Sequence, residues 1–222
     1  ASLGPSHKHP MVDKIVEEYH KKDVDLHQMV ADIAGIKRKQ AKVVNLGIMY
    51  GMGKAKLADQ LGVTVEEAGE LLDTHQEKVP FVKKLAETAS QQAADHGQIR
   101  TLLGRRCRFH LWEPRSFGYK KPLPHEKAMK EYGMGIRRAF TYKALNKLIQ
   151  GSAADQTKKA MADCYAEGLL PMLTVHDELC FSVESEDQSR RIKDIMENGL
   201  SDVLKVPSKV DDELKDNWGE IE

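Results

Sequence analysis

Apolar residues occupy every second position from Leu173 to Val183 except position 177, and this alternation restricts the fold more than any other pattern in the chain. A period of two predicts two short strands, and His176-Asp177-Glu178 falls at the tight connection between them. Two carboxylates and an imidazole at the tip of an apolar hairpin are well placed to hold a divalent metal at the floor of a cleft. The alternative interpretation is a solvated aspartate in an ordinary turn.

Helical periodicity dominates the first hundred residues. Thr64-Val65-Glu66-Glu67 is the capping-box pattern of a helix start, Gly62 and Gly97 suit helix ends, and Pro80 should break or restart the pattern. The predicted helices cover residues 11–22, 26–34, 37–53 and 54–61, a helix from 64 that reaches the proline, and 82–96.

Beyond Gly97 the sequence pattern predicts β-strands as well as helices, with fewer helices than before Gly97. It indicates a hairpin over 98–109, a long loop over 111–127, a helix over about 130–167, the His176 hairpin, an amphipathic helix over 192–203 and a short strand near Lys209-Val210. Helices packed beside an antiparallel sheet make an α+β fold. We therefore expect an irregular lead-in over 1–10, a helical lobe over 11–96 and a sheet-bearing lobe over 97–222.

Charge balance and cysteine content limit the class of protein. The 222 residues include 34 basic and 34 acidic side chains, so the formal net charge is zero and any basic surface must be local. Three cysteines, an odd number and far apart, predict reduced thiols. The sequence shows neither an opening signal peptide nor an apolar stretch that could span a bilayer, so we expect a soluble cytoplasmic protein without a membrane partner.

Residues 37–53 contain a second pattern, which indicates a ligand-binding helix face. Arg38, Lys42, Leu46 and Tyr50 are four apart, so a helix would align them in a drifting stripe about 18 Å long. The stripe is cationic at one end, apolar in the middle and aromatic at the far end. This order suits a nucleotide with its phosphates at the cations and its base toward the tyrosine. An ordinary amphipathic helix with solvated cations is the alternative.

Two further segments suit contact with nucleic acid. Asn146 and Gln150 share a helix face beside small residues, and paired amides can read the acceptors that every base pair shows in the minor groove. A polar face next to packing residues would show the same pattern. The concentrated basic residues lie on the predicted hairpin and the loop beyond it, where they suit phosphate contacts or are simply solvated. They are Arg100, Arg105, Arg106, Arg108, Lys120 and Lys121.

In this order and spacing, the segments resemble the C-terminal half of a family A (polymerase I-like) DNA polymerase, and the phage-encoded members most. The stretch Arg38-xxx-Lys42-xx-Asn45-x-Gly47-xx-Tyr50-Gly51 is similar to the fingers-helix motif of that family. Gln150-Gly-x-Ala-Ala-Asp155 and Val175-His-Asp-Glu178 are similar to its two palm motifs. Asp25-Leu-His27 and Gly104-Arg-Arg106 also have counterparts.

The resemblance implies a DNA-directed DNA polymerase, with fingers over 11–96 and the C-terminal part of a palm over 97–222. Asp177, with Glu178 nearby, would coordinate catalytic Mg²⁺ in a two-metal displacement by the primer 3′-hydroxyl, and Lys42 would protonate the pyrophosphate leaving group. The incoming dNTP would contact His27, Arg38, Lys42, Leu46 and Tyr50. Primer-template DNA would contact Gly51, Arg105, Arg106, Asn146, Gln150 and His176.

Three departures from the family pattern affect the expected function. Leu46 stands where the family usually has an aromatic residue against the sugar of the incoming nucleotide, and Tyr142 stands where an arginine is usual. The sequence also lacks the motif that carries the other magnesium-binding aspartate, as well as the thumb. We therefore expect this chain to supply only part of the Mg²⁺ site, and an N-terminal polymerase chain or fragment to complete it.

Two interpretations of the resemblance compete. The chain is either one part of a working polymerase or a non-catalytic remnant that binds DNA or nucleotides. Retention of Arg38, Lys42, Tyr50 and the carboxylate pair favours the working polymerase. An unrelated metal hydrolase built on the hairpin would leave the cationic helix unexplained. We also expect an exposed apolar edge on the sheet lobe, because a missing palm strand leaves one strand unpaired.

Overall fold

The computed structural model describes residues 13, 16, 17, 19, 20, 25–116, 118 and 120–220. Of these residues, 13 and those between 25 and 151 form one compact unit, and 16, 17, 19, 20 and those between 152 and 220 form the other. The predicted lead-in over 1–10 and most of the predicted helix over 11–22 lie outside the described residues. The division into fingers and palm near Gly97 stays a prediction.

The described part of the first unit begins with helices α1 (Leu26–Ala34), α2 (Arg38–Met49), α3 (Lys54–Leu61), α4 (Val65–Lys78) and α5 (Pro80–His96). Their ends follow local chemistry. Thr64 and Glu67 form the predicted capping box of α4, and Pro80 starts α5 at a position where no N–H is needed. Gly97 ends α5 in a left-handed conformation, as predicted. The helix predicted to reach residue 53 ends earlier, at Met49.

The apolar faces of these helices form two buried clusters. One cluster joins α2, α3 and α4 around the buried side chains of Val44 and Leu57. The other joins α1 and α2 to the residue before α5 through Val30, Ala41 and Val79. Because α2 contributes to both clusters, its buried side is fixed and its remaining side faces outward.

Within the first unit, the described segment after Gly97 contains two small antiparallel sheets. Strands β1 (Gln98–Arg100) and β2 (Arg106–Arg108) form the predicted hairpin. The long loop predicted over 111–127 is wrong, because β3 (Leu111–Pro114) pairs with β4 (Leu123–Pro124) and with β5 (Ile136–Arg138). Pro114 and Pro124 lie at the ends of β3 and β4, where proline is tolerated. Because proline usually indicates a loop, these two residues concealed the strands from the sequence pattern.

A continuous helix over 130–167 is also not observed. Helix α6 (His125–Tyr132) ends before Gly133, β5 follows, and α7 (Ala144–Ala166) begins only after a short 3₁₀ turn. A third cluster packs the start of α7, through Ala144 and Leu145, against α5 and the β1–β2 hairpin.

The described part of the second unit contains the rest of α7, strands β6 (Pro171–Val175) and β7 (Glu178–Phe181), and α8 (Glu186–Asn198). The His-Asp-Glu hairpin is confirmed, with Val175 paired to Glu178 across the turn. The strand predicted near Lys209-Val210 is absent, since the Val210 N–H donates to the Glu197 carboxylate at 3.2 Å. Helices and small antiparallel sheets together confirm the α+β class. No helix in the described ranges is long and apolar enough to cross a membrane.

Candidate functional site

The outward side of α2 carries the stripe predicted from the sequence. Arg38 and Lys42 are exposed, Leu46 is half-buried, and Tyr50 is 51% exposed directly after the last turn. The Tyr50 N–H donates to the Leu46 carbonyl at 2.9 Å, so the backbone of Tyr50 is held at the C-terminal end of the helix. The stripe thus places two cations, an apolar side chain and an aromatic ring on one accessible surface.

Asp25 connects the cationic end of this stripe to α1. Its carboxylate accepts hydrogen bonds from the backbone N–H groups of His27 and Gln28, and so caps α1. The same carboxylate accepts from Nε of Arg38 at 2.5 Å. The Gln28 N–H, and next the Arg38 guanidinium, hold the pKa of Asp25 below its usual value. Arg38 therefore already pairs with a carboxylate, which an incoming anion would have to replace.

Asn45 lies on the buried side of α2, between two histidines. Its Oδ1 atom lies 2.8 Å from Nε2 of His75 in α4, and its Nδ2 atom lies 3.5 Å from Nδ1 of His27 in α1. Asn45 belongs to the fingers-helix motif but had no predicted role, and no sequence pattern pointed to His75. No periodicity marks a contact between residues thirty positions apart, so only the folded structure could show it.

A hydrogen bond joins two of the predicted motifs across a hundred positions. Nε2 of Gln150 in α7 donates to the Tyr50 hydroxyl at 2.8 Å. Next to this contact, Gly51 adopts φ of 66°, and a Cβ atom at that position would lie 3.1 Å from Cδ2 of Tyr142. Both the backbone conformation and the close ring favour glycine there. Asn146 lies one turn before Gln150 and is half-buried.

The β1–β2 hairpin packs closely on α7 at Gly151. A Cβ atom on Gly151 would lie 2.8 Å from Cγ2 of Thr101, and Nη2 of Arg105 donates to the Gly151 carbonyl at 2.8 Å. Arg105 therefore anchors the hairpin to the helix that carries Gln150. Arg106 is exposed on β2.

The predicted metal ligands lie at the tip of the β6–β7 hairpin. His176, Asp177 and Glu178 are exposed, and His176 adopts φ of 55°, a strained conformation for a residue with a side chain. Within the described ranges, no group of three or more His, Cys, Asp or Glu side chains converges to hold a metal. The two carboxylates match the donor type of Mg²⁺, which commonly takes one or two protein carboxylates and completes its shell with water and substrate oxygens.

The sequence profile of DNA polymerase family A matches residues 9–220. The DNA-directed DNA polymerase of Pseudomonas phage M6 is 38% identical over 89% of this chain and 31% of its own length. DNA polymerase I of Bacillus subtilis is 33% identical over 95% of this chain and 24% of its own length. The chain thus spans about a third or less of these relatives.

A solved structure is also similar to this chain. The POL domain of Pol1 from M. smegmatis, in complex with DNA primer-template and dNTP, aligns with a TM-score of 0.65 and 28% identity over 86% of this chain and 34% of that domain's chain. The profile match alone covers most of the 222 residues. The chain described here belongs to DNA polymerase family A.

Proposed function

We propose that this chain forms the fingers and the distal part of the palm of a template-directed DNA polymerase, which adds dNMPs to a primer 3′-hydroxyl. The observation that carries the proposal is the accessible side of α2, where Arg38 and Lys42 precede Leu46 and Tyr50 on one surface. Support comes from the similar M. smegmatis structure, which is a complex with DNA primer-template and dNTP.

In this proposal the cationic end of α2 binds the triphosphate. Arg38 exchanges its contact with Asp25 for phosphate oxygens, and His27 adds a hydrogen bond from the start of α1. Lys42, exposed one turn further along, protonates the pyrophosphate oxygen as it leaves. Leu46 packs against the sugar of the nucleotide and provides apolar contact without an aromatic face.

The DNA-contacting residues lie around the end of α2 and the start of α7. Tyr50 and Gly51 border the templating base, while Asn146 and Gln150 read minor-groove acceptors near the primer end. Gln150 donates to the Tyr50 hydroxyl at 2.8 Å without DNA, so DNA binding exchanges one hydrogen bond for others. Arg105, Arg106 and the hairpin residue His176 complete the proposed contacts with the primer and the phosphate backbone.

The carboxylates of Asp177 and Glu178 are the groups of this chain that would hold Mg²⁺. When bound, Mg²⁺ would lower the pKa of the attacking hydroxyl and neutralise charge on the triphosphate. Asp177 lies in the turn and Glu178 begins β7, so both residues are at the tip of a short two-stranded hairpin. A complete site needs a further carboxylate, which we propose comes from palm polypeptide outside this chain.

An exposed apolar surface on the second unit supports the proposal that further palm polypeptide completes the site. Within the described ranges, β6 and β7 pair only with each other, and Leu170, Met172 and Leu173 are exposed, as the predicted apolar edge requires. An open depression of about 420 Å³ is lined by Tyr165 and other residues of α7, by Leu170 between this helix and β6, and by Pro171 at the start of β6. We propose that palm polypeptide carrying the second aspartate covers this surface, and that the protein acts in the cytoplasm, that of the host if it is phage-encoded.

Primer extension with Mg²⁺ and four dNTPs tests the proposal, using this chain alone and mixed with an N-terminal polypeptide that carries the missing aspartate. We expect extension only in the mixture, lost with Asp177→Asn and retained with Asp202→Asn, a control at an exposed acid of the same unit. DNA binding without extension in any mixture would instead support the non-catalytic remnant. Extension that survives Asp177→Asn would contradict the proposed carboxylate site.

A further inference from the structure

A fully buried imidazole in α4 has no role in the proposed function. His75 is 0% exposed, and its Nε2 atom lies 2.8 Å from Oδ1 of Asn45. The amide nitrogen of Asn45 lies 3.5 Å from Nδ1 of His27. The three side chains therefore form a line of polar contacts through three helices, and this line ends at a proposed ligand of the triphosphate.

The Asn45 amide determines which nitrogen of His75 carries a proton. Burial lowers the pKa of His75, which favours the neutral ring. Because Oδ1 of Asn45 can only accept, Nε2 of His75 carries the hydrogen and donates it. Nδ1 of His75, which has no hydrogen-bond partner in the described part of the chain, is then the unprotonated nitrogen. The reverse amide orientation would bury an N–H without an acceptor, which is a rarer and more costly arrangement.

The same amide favours one tautomer of His27. Nδ2 of Asn45 can only donate, so Nδ1 of His27 accepts and the hydrogen of that ring lies on Nε2. The backbone of His27 is held as well, because its N–H donates to the Asp25 carboxylate at 2.9 Å. Ring and backbone are thus fixed from two directions.

We infer that His75 is a positioning residue that acts through Asn45 to fix the ring and tautomer of His27. In this arrangement Nε2–H is the group that His27 presents to a phosphate oxygen of a nucleoside triphosphate. The inference rests on the proposed function, because the triphosphate contact of His27 belongs to that proposal. The benefit is pre-organisation, since an unrestrained imidazole populates two tautomers and several rotamers, of which few can donate to the phosphate.

NMR of the chain labelled with ¹⁵N-histidine tests the inference without requiring polymerase activity. In the wild type we expect His27 to carry its hydrogen on Nε2. Asn45→Asp replaces the donor toward His27 with an acceptor, so the hydrogen should move to Nδ1. His75→Phe keeps an aromatic ring but removes the donor to Asn45, and should mix the tautomers of His27. His75→Gln retains a donor near the position of Nε2, and should preserve the wild-type state.

Titration of the same variants with a dNTP provides the second readout. His75→Phe should weaken dNTP binding about five- to tenfold, and His75→Gln should recover most of that loss. In the completed enzyme the loss should appear in KM for the dNTP more than in kcat, as expected for a residue that orders a binding group.

An unchanged His27 tautomer in Asn45→Asp, or wild-type dNTP affinity in a folded His75→Phe variant, would overturn the inference. If His75→Phe does not fold, Asn45→Asp and His75→Gln decide the question. A wild-type chain that binds no dNTP would contradict the proposed function, while the tautomer measurement would still decide whether His75 orders His27.

Discussion

The α2 region and the β6–β7 hairpin present their proposed functional groups in different ways. In the α2 region the groups are held by neighbours in the same unit, since Arg38 contacts Asp25, Asn45 lies between two histidines, and Tyr50 accepts from Gln150. At the hairpin, Asp177 and Glu178 are exposed, and no hydrogen bond or ion pair of their side chains occurs within the described ranges. The difference indicates that this chain orders its proposed nucleotide-binding groups by itself but leaves its proposed metal ligands to be completed.

The largest expected effect concerns Lys42, an exposed cation of the α2 region. Lys42→Gln in the completed enzyme should lower kcat about a hundredfold, because the proposed general acid is lost. Lys39→Gln is the matched control, since Lys39 is exposed on the same helix without a proposed role. Single-turnover extension measures both variants, and equal rates for the two would remove Lys42 from the chemistry.

A stability measurement compares the packing of the two regions directly. Leu57 is 1% exposed in the core beneath α2, whereas Met172 on β6 is 65% exposed. Leu57→Ala should lower the free energy of unfolding by about 3 kcal/mol, and Met172→Ala should change it by less than about 0.5 kcal/mol. Urea denaturation of the chain alone gives both values. A large loss for Met172→Ala would show that the apolar surface of β6 is already packed.

Substitution of Asp25 should have a smaller effect on triphosphate binding, and it should change the pH dependence of stability in a direction that the pKa shift of Asp25 fixes. Asp25→Asn keeps a side chain that caps helices but removes the charge that holds Arg38, so it should strengthen triphosphate binding about two- to threefold. Because the folded-state pKa of Asp25 is lowered, its carboxylate stabilises the fold above the unfolded pKa of about 3.9, and that stabilisation is lost as pH falls through the folded value.

Thermal unfolding over a pH series measures this dependence. The stability difference between the wild type and Asp25→Asn should be constant near neutral pH and shrink below about pH 4. A difference that instead grew on acidification would contradict the contact between Asp25 and Arg38.

The smallest expected effect is at Tyr142, beside Gly51. Tyr142→Arg adds a cation near the proposed template contacts, so it should steepen the salt dependence of DNA binding by about one phosphate contact. Tyr142→Phe is the control for the ring. Binding titrations at several salt concentrations measure the slope, and an unchanged slope for Tyr142→Arg would place this position away from the DNA backbone.

Features set by neighbouring residues were predicted well. The capping box at Thr64, the left-handed end at Gly97 and the turn at His176-Asp177 depend on local geometry, and the structure shows each of them. The outward stripe of α2 was also predicted, because helical periodicity alone determines which residues share a side.

Features that depend on distant residues were missed. The sheet of β3, β4 and β5 is short, and Trp112 in it contacts Arg138 and His125, which no local period reveals. The contact of His75 with Asn45 joins residues thirty positions apart. The pairing of Arg38 with Asp25 likewise needed the fold, although Asp25 directly before α1 is a recognisable capping position.

Titration of the isolated chain with a dNTP in the presence of Mg²⁺ tests the claim that the α2 region orders its proposed nucleotide-binding groups without further polypeptide. If the α2 region orders its own nucleotide-binding groups, the wild type binds, Arg38→Ala loses most of the affinity, and Lys39→Ala and Asp177→Asn remain near wild type. Loss of binding in Asp177→Asn equal to that in Arg38→Ala, or a folded wild type that binds no dNTP, would contradict the claim.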